Sequence, residues 1–539
     1  VGANPIVVIA AIVYFLIIIG IGYTTRKASA DPMDYYVAGR KIGPVVNGAA
    51  LAAAYFSPAS FLGMPAFIFL MGYPFWWVLS SIIAGLPLAS MLTAAPMRRY
   101  APVSFTDYYA DRYDSPKLMR ILAGIPTMMS GWAYIVLSIV GTGLFMMAIL
   151  QVSYPVAVVL AAVVIMFYVF MGGMVATTFS SAFQGVLMTL ASLVVAFVIL
   201  GHYGGFGGLS EAVYANNPNF WLMPGASATG AFSHPIMGYW TGIVGAYFVW
   251  HFGFSMMPYT VVRFFTTMDI KSARRSVYWA VLFGGPMYWG LLVAGTAARV
   301  TLENLHPLMG GEVTNAVQLL AAIKANFGIG GAAVTDYSYI ALVESLGNPW
   351  VLGILVAGGL AISMATAAAW VMVLNVLIGR DFMGKCAGNT WAINNPVKAL
   401  RFWTVIIMVF CTIFAFNPLA LVLDLSGWAF IVIICTTGIP MMGGLWWRKA
   451  NTTATIATIC VFFPLSLYTW LYAKNVLGSP HWFFASKMIW PDGFRGLPAL
   501  PTLHQVWLIP AAAIFFVVVS LFTKPNSDEV LQKYCDDLH

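Results

Sequence analysis

Two stretches of this chain place hydrogen-bonding groups inside otherwise apolar sequence. Residues 48–64 read GAALAAAYFSPASFLGM, with Tyr55, Ser57 and Ser60 around Pro58, and residues 245–259 read GAYFVWHFGFSMMPY, with Trp250 and His251 ahead of Gly253 and Pro258. In hydrocarbon every backbone N–H and C=O must pair inside its own helix, so Pro and Gly at membrane depth mark broken helices that line a cavity. A break frees backbone groups for a binding site. The start of the second half-helix, with N–H groups from Phe56 to Ser60 and the hydroxyls of Tyr55 and Ser57, suits a small carboxylate without any buried Arg. One such break alone reads as an ordinary proline kink; two at corresponding places favour a paired site.

His251 adds a titratable group. It precedes the basic marker Arg263 by twelve residues, roughly 18 Å along a helix, which puts it near mid-membrane. An ionisable group at that depth marks a solute or proton pathway by default. Two roles fit it: carrying a driving proton or balancing an anion, or standing as a neutral imidazole bonded to a neighbouring carbonyl. Covalent chemistry has no home elsewhere. The chain contains no HExxH, no GxSxG beside a triad, and no glycine-rich loop ending in Lys and Ser or Thr. The glycines of 204–208 suit turns. Cys386, Cys411, Cys435, Cys460 and Cys535 are odd in number and scattered, so neither a disulfide nor a metal site is expected. The chain reads as a protein that is not an enzyme and needs no cofactor.

These residues must be held by membrane-spanning elements. About thirteen uncharged apolar runs follow one another, at roughly 5–23, 45–71, 73–95, 118–150, 153–172, 180–201, 236–262, 276–300, 349–380, 402–424, 426–447, 453–474 and 504–523. Each suffices, at 1.5 Å per residue, to cross a core of roughly 30 Å, some with tilt. With 61% apolar and 8% charged residues, the whole of 1–539 reads as one membrane domain. Of the 26 Lys and Arg, 21 fall in alternate gaps between runs; Arg299, Lys324, Lys474, Lys487 and Arg495 fall in the others. Basic residues are retained on the cytoplasmic side, which puts the N-terminus outside. That bias also accounts for the net charge of +8, so nucleic acid is not an expected partner; the lipid bilayer is. The first run has no basic residues before it and no cleavage site of small residues, and is expected to be a retained helix. The inner or plasma membrane of a cell is the expected location.

DYYVAGR (34–40), AAAYFSPASFLGM (52–64), YVFMGGMVATTF (168–179), VVRFF (261–265) with SARRSVYWA (272–280), and GLWWRKANTTAT (444–455) resemble, in order along the chain, the sodium:solute symporter family. ASFLG, FMGGMVATT and RFF most resemble its acetate and short-monocarboxylate permeases. The resemblance implies an all-α LeuT-like fold, a 5+5 inverted repeat with flanking helices. Its repeats are expected at 45–201 and 236–447, with additional helices at 453–523. It also implies a cation-coupled alternating-access cycle.

Carried over by position, the family's sodium site falls on the carbonyls of Ala53 and Phe56, the carbonyl of Ile362, and the side chains of Ala365 and Thr366. Ala365 stands where a hydroxyl is expected, with Ser363 nearby to compensate. Ser181 stands where the sugar and proline carriers have an Asp. Sodium and the proton therefore both stay open as the driving ion. Tyr55, Ser60 and Leu79 replace the Asn, Gln and acidic residue of the sugar branch, which argues against a sugar. Trp250 occupies a position the family uses for solute contact. The expected function is cation-coupled symport of a small monocarboxylate such as acetate, through Tyr55, Ser57, Ser60, Trp250 and His251. An amino acid or other zwitterion is the alternative solute. A transport-like sensor or a channel is a third class, although no run shows the polar stripe of a pore.

Overall fold

The computed structural model describes residues 4–25, 31–223, 244–305, 336–418, 422–473 and 504–539. Arg26, Lys27, Lys324, Lys474, Lys487 and Arg495 lie outside the described residues, as do 236–243 of the seventh run.

The described chain is nearly all helix, and the apolar runs become the helices. They are α1 (Pro5–Thr25), α2 (Pro44–Tyr55), α3 (Ala59–Phe69), α4 (Pro74–Tyr100), α5 (Pro116–Leu150), α6 (Tyr154–Phe167) and α7 (Gly173–Tyr203). Then follow α8 (Tyr247–Phe252, continuing through Gly253–Met256), α9 (Pro258–Phe265), α10 (Ile270–Leu305) and α11 (Pro349–Cys386). The last are α12 (Pro396–Ala415), α13 (Leu425–Trp446), α14 (Thr452–Ala473) and α15 (His504–Phe522). Among the described residues nine helices are long and apolar enough to cross a membrane singly, and α2 and α3 form one more span bent by 57°.

The fold differs from the sequence reading where a run begins or ends. Helix α7 starts at Gly173, seven residues before the run at 180, because Gly173 adopts φ 59°, ψ −178°, a conformation open essentially to glycine alone. The backbone kinks there and separates α6 from α7. The run at 402–424 becomes a helix that ends at Ala415.

Burial sorts the helices into layers. In α5, α11 and α13 about nine-tenths of the apolar window is buried, against 22% in α1. Ile9, Ile12, Leu16 and Ile19 of α1 are exposed, as an outermost helix facing lipid tails requires. Helix α2 packs against α7, α10 and α11, and α8 against α4, so both interrupted spans lie within the bundle.

Candidate functional site

Two interruptions share one hydrogen-bond pattern. Phe56 still donates its N–H to the Ala52 carbonyl at 2.8 Å, but its ψ of 102° takes the chain out of the helix. Pro58 has no N–H, so the Ala54 carbonyl has no donor four residues on. The helix restarts on the Ser57 carbonyl, which accepts from Ser60 at 2.8 Å and Phe61 at 3.1 Å. In the other span Met257, at φ −68° and ψ 130°, donates to the Gly253 carbonyl and accepts from Thr260 and Val261, each at 3.0 Å. Pro58 and Pro258 both open the new half-helix, where a missing N–H costs nothing. Gly253 itself is helical (φ −59°, ψ −39°), so the second interruption lies at Met257–Pro258. The N–H groups expected to be free from Phe56 to Ser60 reduce to those of Ser57 and Ala59, because Phe56 and Ser60 are already bonded and Pro58 has none.

Side chains then join the two spans. The Tyr55 ring stacks on Phe254 of α8 with centroids 3.5 Å apart, and its hydroxyl donates to the Ile82 carbonyl of α4. Ser60 Oγ shares a 2.7 Å hydrogen bond with the Tyr288 hydroxyl of α10, and Phe56 meets the Tyr288 ring edge-on at 4.9 Å. Ser57 is buried beside them.

Ala53, Phe56, Ile362, Ala365 and Thr366 are all buried. Thr366 Oγ1 donates to the Ile362 carbonyl at 3.0 Å and Ser363 Oγ to the Gly359 carbonyl at 2.9 Å, which leaves their lone pairs outward. Gly141 of α5 registers the α11 hydroxyls against the first interruption. A Cβ there would lie 2.7 Å from Pro58 Cβ and 3.2 Å from Ser363 Oγ, so Ser363 and Pro58 meet at one point. Among the described residues no three His, Cys, Asp or Glu side chains gather to hold a metal. A cation between α2 and α11 would therefore rest on neutral carbonyl and hydroxyl oxygens.

Trp250 and His251 face different neighbours. Trp250 lies against Phe430 of α13, with centroids 4.8 Å apart, and shares that face with Phe254. His251 is half-buried, its ring 6.3 Å from Tyr247, whose hydroxyl bonds the exposed Ser80; its Nδ1 has no hydrogen bond. The structure brings Tyr55 onto Phe254 and Ser60 onto Tyr288, while the His251 ring meets Tyr247 and Phe252.

Four further side chains complete the centre. Besides Tyr288, Tyr134 of α5 stacks on Trp370 of α11 at 5.3 Å, and Tyr259 lies 5.3 Å from Trp370 and 5.8 Å from Tyr134. Tyr259 carries a sequence signal, its place directly after Pro258; the others sit in uninterrupted apolar runs that give none. A small pocket is lined by Thr106, Thr127, Val262, Val376 and Asp381 among others.

Next to Thr106 in the chain, Asp107 meets Arg120 Nη1 at 2.6 Å, Arg380 Nη2 at 3.1 Å and Lys385 Nζ at 2.9 Å. Asp381 pairs with Arg380 at 2.6 Å and accepts from Thr106 at 2.6 Å. Burial raises the Asp107 carboxyl, but Arg380, Lys385 and Arg120 outweigh it and hold the group well below the usual carboxylate range. Arg263, the basic marker of the sequence, is buried and donates to Thr178 Oγ1 at 2.9 Å, with Ser181 Oγ at 3.5 Å.

The fold is that of known transporters. A substrate-bound, outward-open Na+-coupled sialic acid symporter superposes with a TM-score of 0.73 at 14% identity, over 97% of this chain and 99% of the other. A nucleobase-cation-symport-1 family transporter in a closed conformation matches at 0.45 and 13% identity, over 94% and 99% of the two chains. A manganese transporter of Eremococcus coleocola matches at 0.40 and 12%, over 91% and 95%. These last two likenesses are too loose to argue from. The family model of the sodium:solute symporters matches residues 35–461, across both interrupted spans and the α11 hydroxyls. The chain belongs to the sodium:solute symporter family, multi-pass membrane proteins that couple a solute to a cation.

Proposed function

We propose that this symporter moves a small monocarboxylate such as acetate, driven by Na+, with both held where its two spans are interrupted. The observation that carries the reading is the polar inventory there: hydroxyls of Tyr55, Ser57, Ser60 and Tyr288, free backbone groups, and aromatic walls. A sugar needs a ring of directional partners for its hydroxyls. A carboxylate needs two or three donors and the positive end of a half-helix, which α3 and the Ser57 and Ala59 N–H groups supply. In this reading the Ala53, Phe56 and Ile362 carbonyls and the Thr366 hydroxyl hold Na+, Ser363 takes over the hydroxyl missing at Ala365, and the Ala54 carbonyl, without a donor at Pro58, adds a further oxygen. Residues 45–201 and 236–447 act as the two repeats, and the matched hydrogen-bond patterns at Ser57 and Met257 support that division.

Uptake of labelled acetate, pyruvate and proline into proteoliposomes, first under a Na+ gradient and then under a proton gradient, tests this. Accumulation of acetate or pyruvate with Na+ is expected; accumulation of proline alone, or of none, refutes it. Proton coupling is the second reading, favoured by the buried, unbonded Nδ1 of His251. His251→Ala would then flatten the pH profile of uptake; full activity with an unchanged profile removes His251 from the cycle.

A further inference from the structure

Hydrogen bonds divide one end of the molecule into two groups of elements. In the first, Ile42 ahead of α2 donates to the Thr266 carbonyl at 3.1 Å and accepts from the Met268 N–H at 3.2 Å. Asn47 of α2 accepts from Thr266 Oγ1 at 3.2 Å and donates to Ser276 Oγ of α10 at 3.1 Å. Arg98, in the last turn of α4, donates to the Thr267 and Met268 carbonyls at 2.7 and 2.9 Å. These bonds fix the start of α2 to the ends of α4 and α9. In the second group the helix Phe105–Arg112 is bonded to α13 and the turn after it. Tyr109 donates to the Thr437 carbonyl at 2.8 Å, and Arg112 to the carbonyls of Gly444 at 2.9 Å and Ala450 at 3.0 Å. The ion pairs of Asp107 add α5 and α11.

The first group carries half of each interrupted span, and the second carries the α11 hydroxyls. Secondary transporters work largely by rocking one such body against the other, so the seam between the groups must open and close. Direct bonds cross it from Trp446 Nε1 to the Leu92 carbonyl at 3.0 Å and from the Tyr100 hydroxyl to Asp111.

Residues 527–539 lie across the same seam, as the helix Asp528–Tyr534 and the turn Asp536–Leu538. On the α13 side Arg448 pairs with Asp536 and, at 3.4 Å, with Asp528. His539 Nε2 donates to the Leu445 carbonyl at 2.8 Å, and its ring lies 3.9 Å from that of Trp446. On the α4 side Arg99 donates to the main-chain oxygen of His539, and the Tyr534 ring meets Tyr100 edge-on at 5.6 Å. Leu531 and Leu538 are buried, so apolar contact seats the segment as well as charge. We infer that residues 527–539 are a latch, which holds the ends of α4 and α13 together when seated and lets the two groups part when it lifts. The inference is independent of which solute is carried.

Hydrogen–deuterium exchange of the full chain in detergent tests it, on the wild type, Leu538→Asp, Arg448→Asp, and Arg448→Asp combined with Asp536→Arg. Leu538→Asp puts a charge in the buried seat and should speed exchange over 92–104, at the seam, about tenfold, the scale of unseating one leucine. Arg448→Asp faces Asp536 and Asp528 with a like charge and should speed it about threefold, and the charge-swapped pair should bring it back to within about twofold of the wild type. Exchange over 42–48 and 264–276, inside the first group, and over 134–146 and 360–372 of α5 and α11, should stay at the wild-type rate in every variant. Faster exchange in those segments too would mean that 527–539 merely supports the fold, and overturns the latch. A seam that exchanges at the wild-type rate while 527–539 itself exchanges freely also overturns it, as does a charge-swapped pair no slower than Arg448→Asp alone.

Discussion

Gly141 shows how much rests on a single missing side chain. It lies where α5, the Pro58 ring and Ser363 converge, and an added methyl would sit 2.7 Å from a ring carbon that cannot swing aside. Gly141→Ala should therefore destabilise the protein by about 1–3 kcal/mol, despite the better helix propensity of Ala, and should lower uptake. Thermal unfolding in detergent, run beside transport, checks both. Glu344, on the helix Ser338–Ser345 outside the spans, makes a second residue-level prediction. Burial pushes its carboxyl up to about 7, against the lowering effect of the Tyr337 hydroxyl that donates to it at 2.9 Å. A raised carboxyl holds its proton more tightly in the folded state, so this contribution is full below pH 4.5 and is lost as pH rises to about 7. Melting temperatures over that window should fall with pH in the wild type and fall less in Glu344→Gln.

At the scale of elements, the proposed function rests on the two interruptions. Pro58 and Pro258 each withhold one N–H at the start of a new half-helix, and this leaves a preceding carbonyl without its helical donor. Pro58→Ala restores a donor to the Ala54 carbonyl and lets α2 run toward α3. Apparent Na+ affinity in uptake assays should weaken by about tenfold, the loss of roughly 1.4 kcal/mol of binding. Helicity by circular dichroism should stay near the wild-type value. Unchanged sodium dependence would show that the extended turn at Phe56, and not the proline, frees the oxygens. Pro258→Ala makes the matching comparison; with α8 and α9 joined, the motion of α9 against α11 should slow and Vmax should fall more than KM rises.

Over the whole molecule, a largely buried ionic cluster ties the ends of distant helices together. Asp107 precedes α5 in the chain, yet its carboxylate is shared by Arg120 of α5 with Arg380 and Lys385 of α11. Asp107→Asn leaves those cations without their common partner and should cost about 3–5 kcal/mol, the penalty of opening a buried ion pair from one side. Because the Asp107 carboxyl is held low, its contribution is present at neutral pH and lost as pH falls below the ordinary 3.8. The wild type should consequently lose stability in acid more steeply than Asp107→Asn, measured by unfolding from pH 6 to pH 3.

The sequence by itself determined the membrane class, the helices and the two interruptions. Hydrocarbon forces every backbone group into local pairing, so apolar run length and a misplaced Pro are read directly from residue order. Tyr55, Ser57 and Ser60 were legible for the same reason, as polar groups at such a break. Only the tertiary structure decided which groups from distant runs share a space. Tyr288 reaches Ser60 from 228 residues away, Ser363 rather than Ala365 meets Pro58 across Gly141, and Tyr134 stacks on Trp370. The turn of His251 toward Tyr247 and the burial of Arg263 under α7 were equally out of reach. A helix fixes the spacing of its side chains from sequence alone, but its rotation about its own axis is set by close packing against neighbours, and that rotation selects which face meets the site.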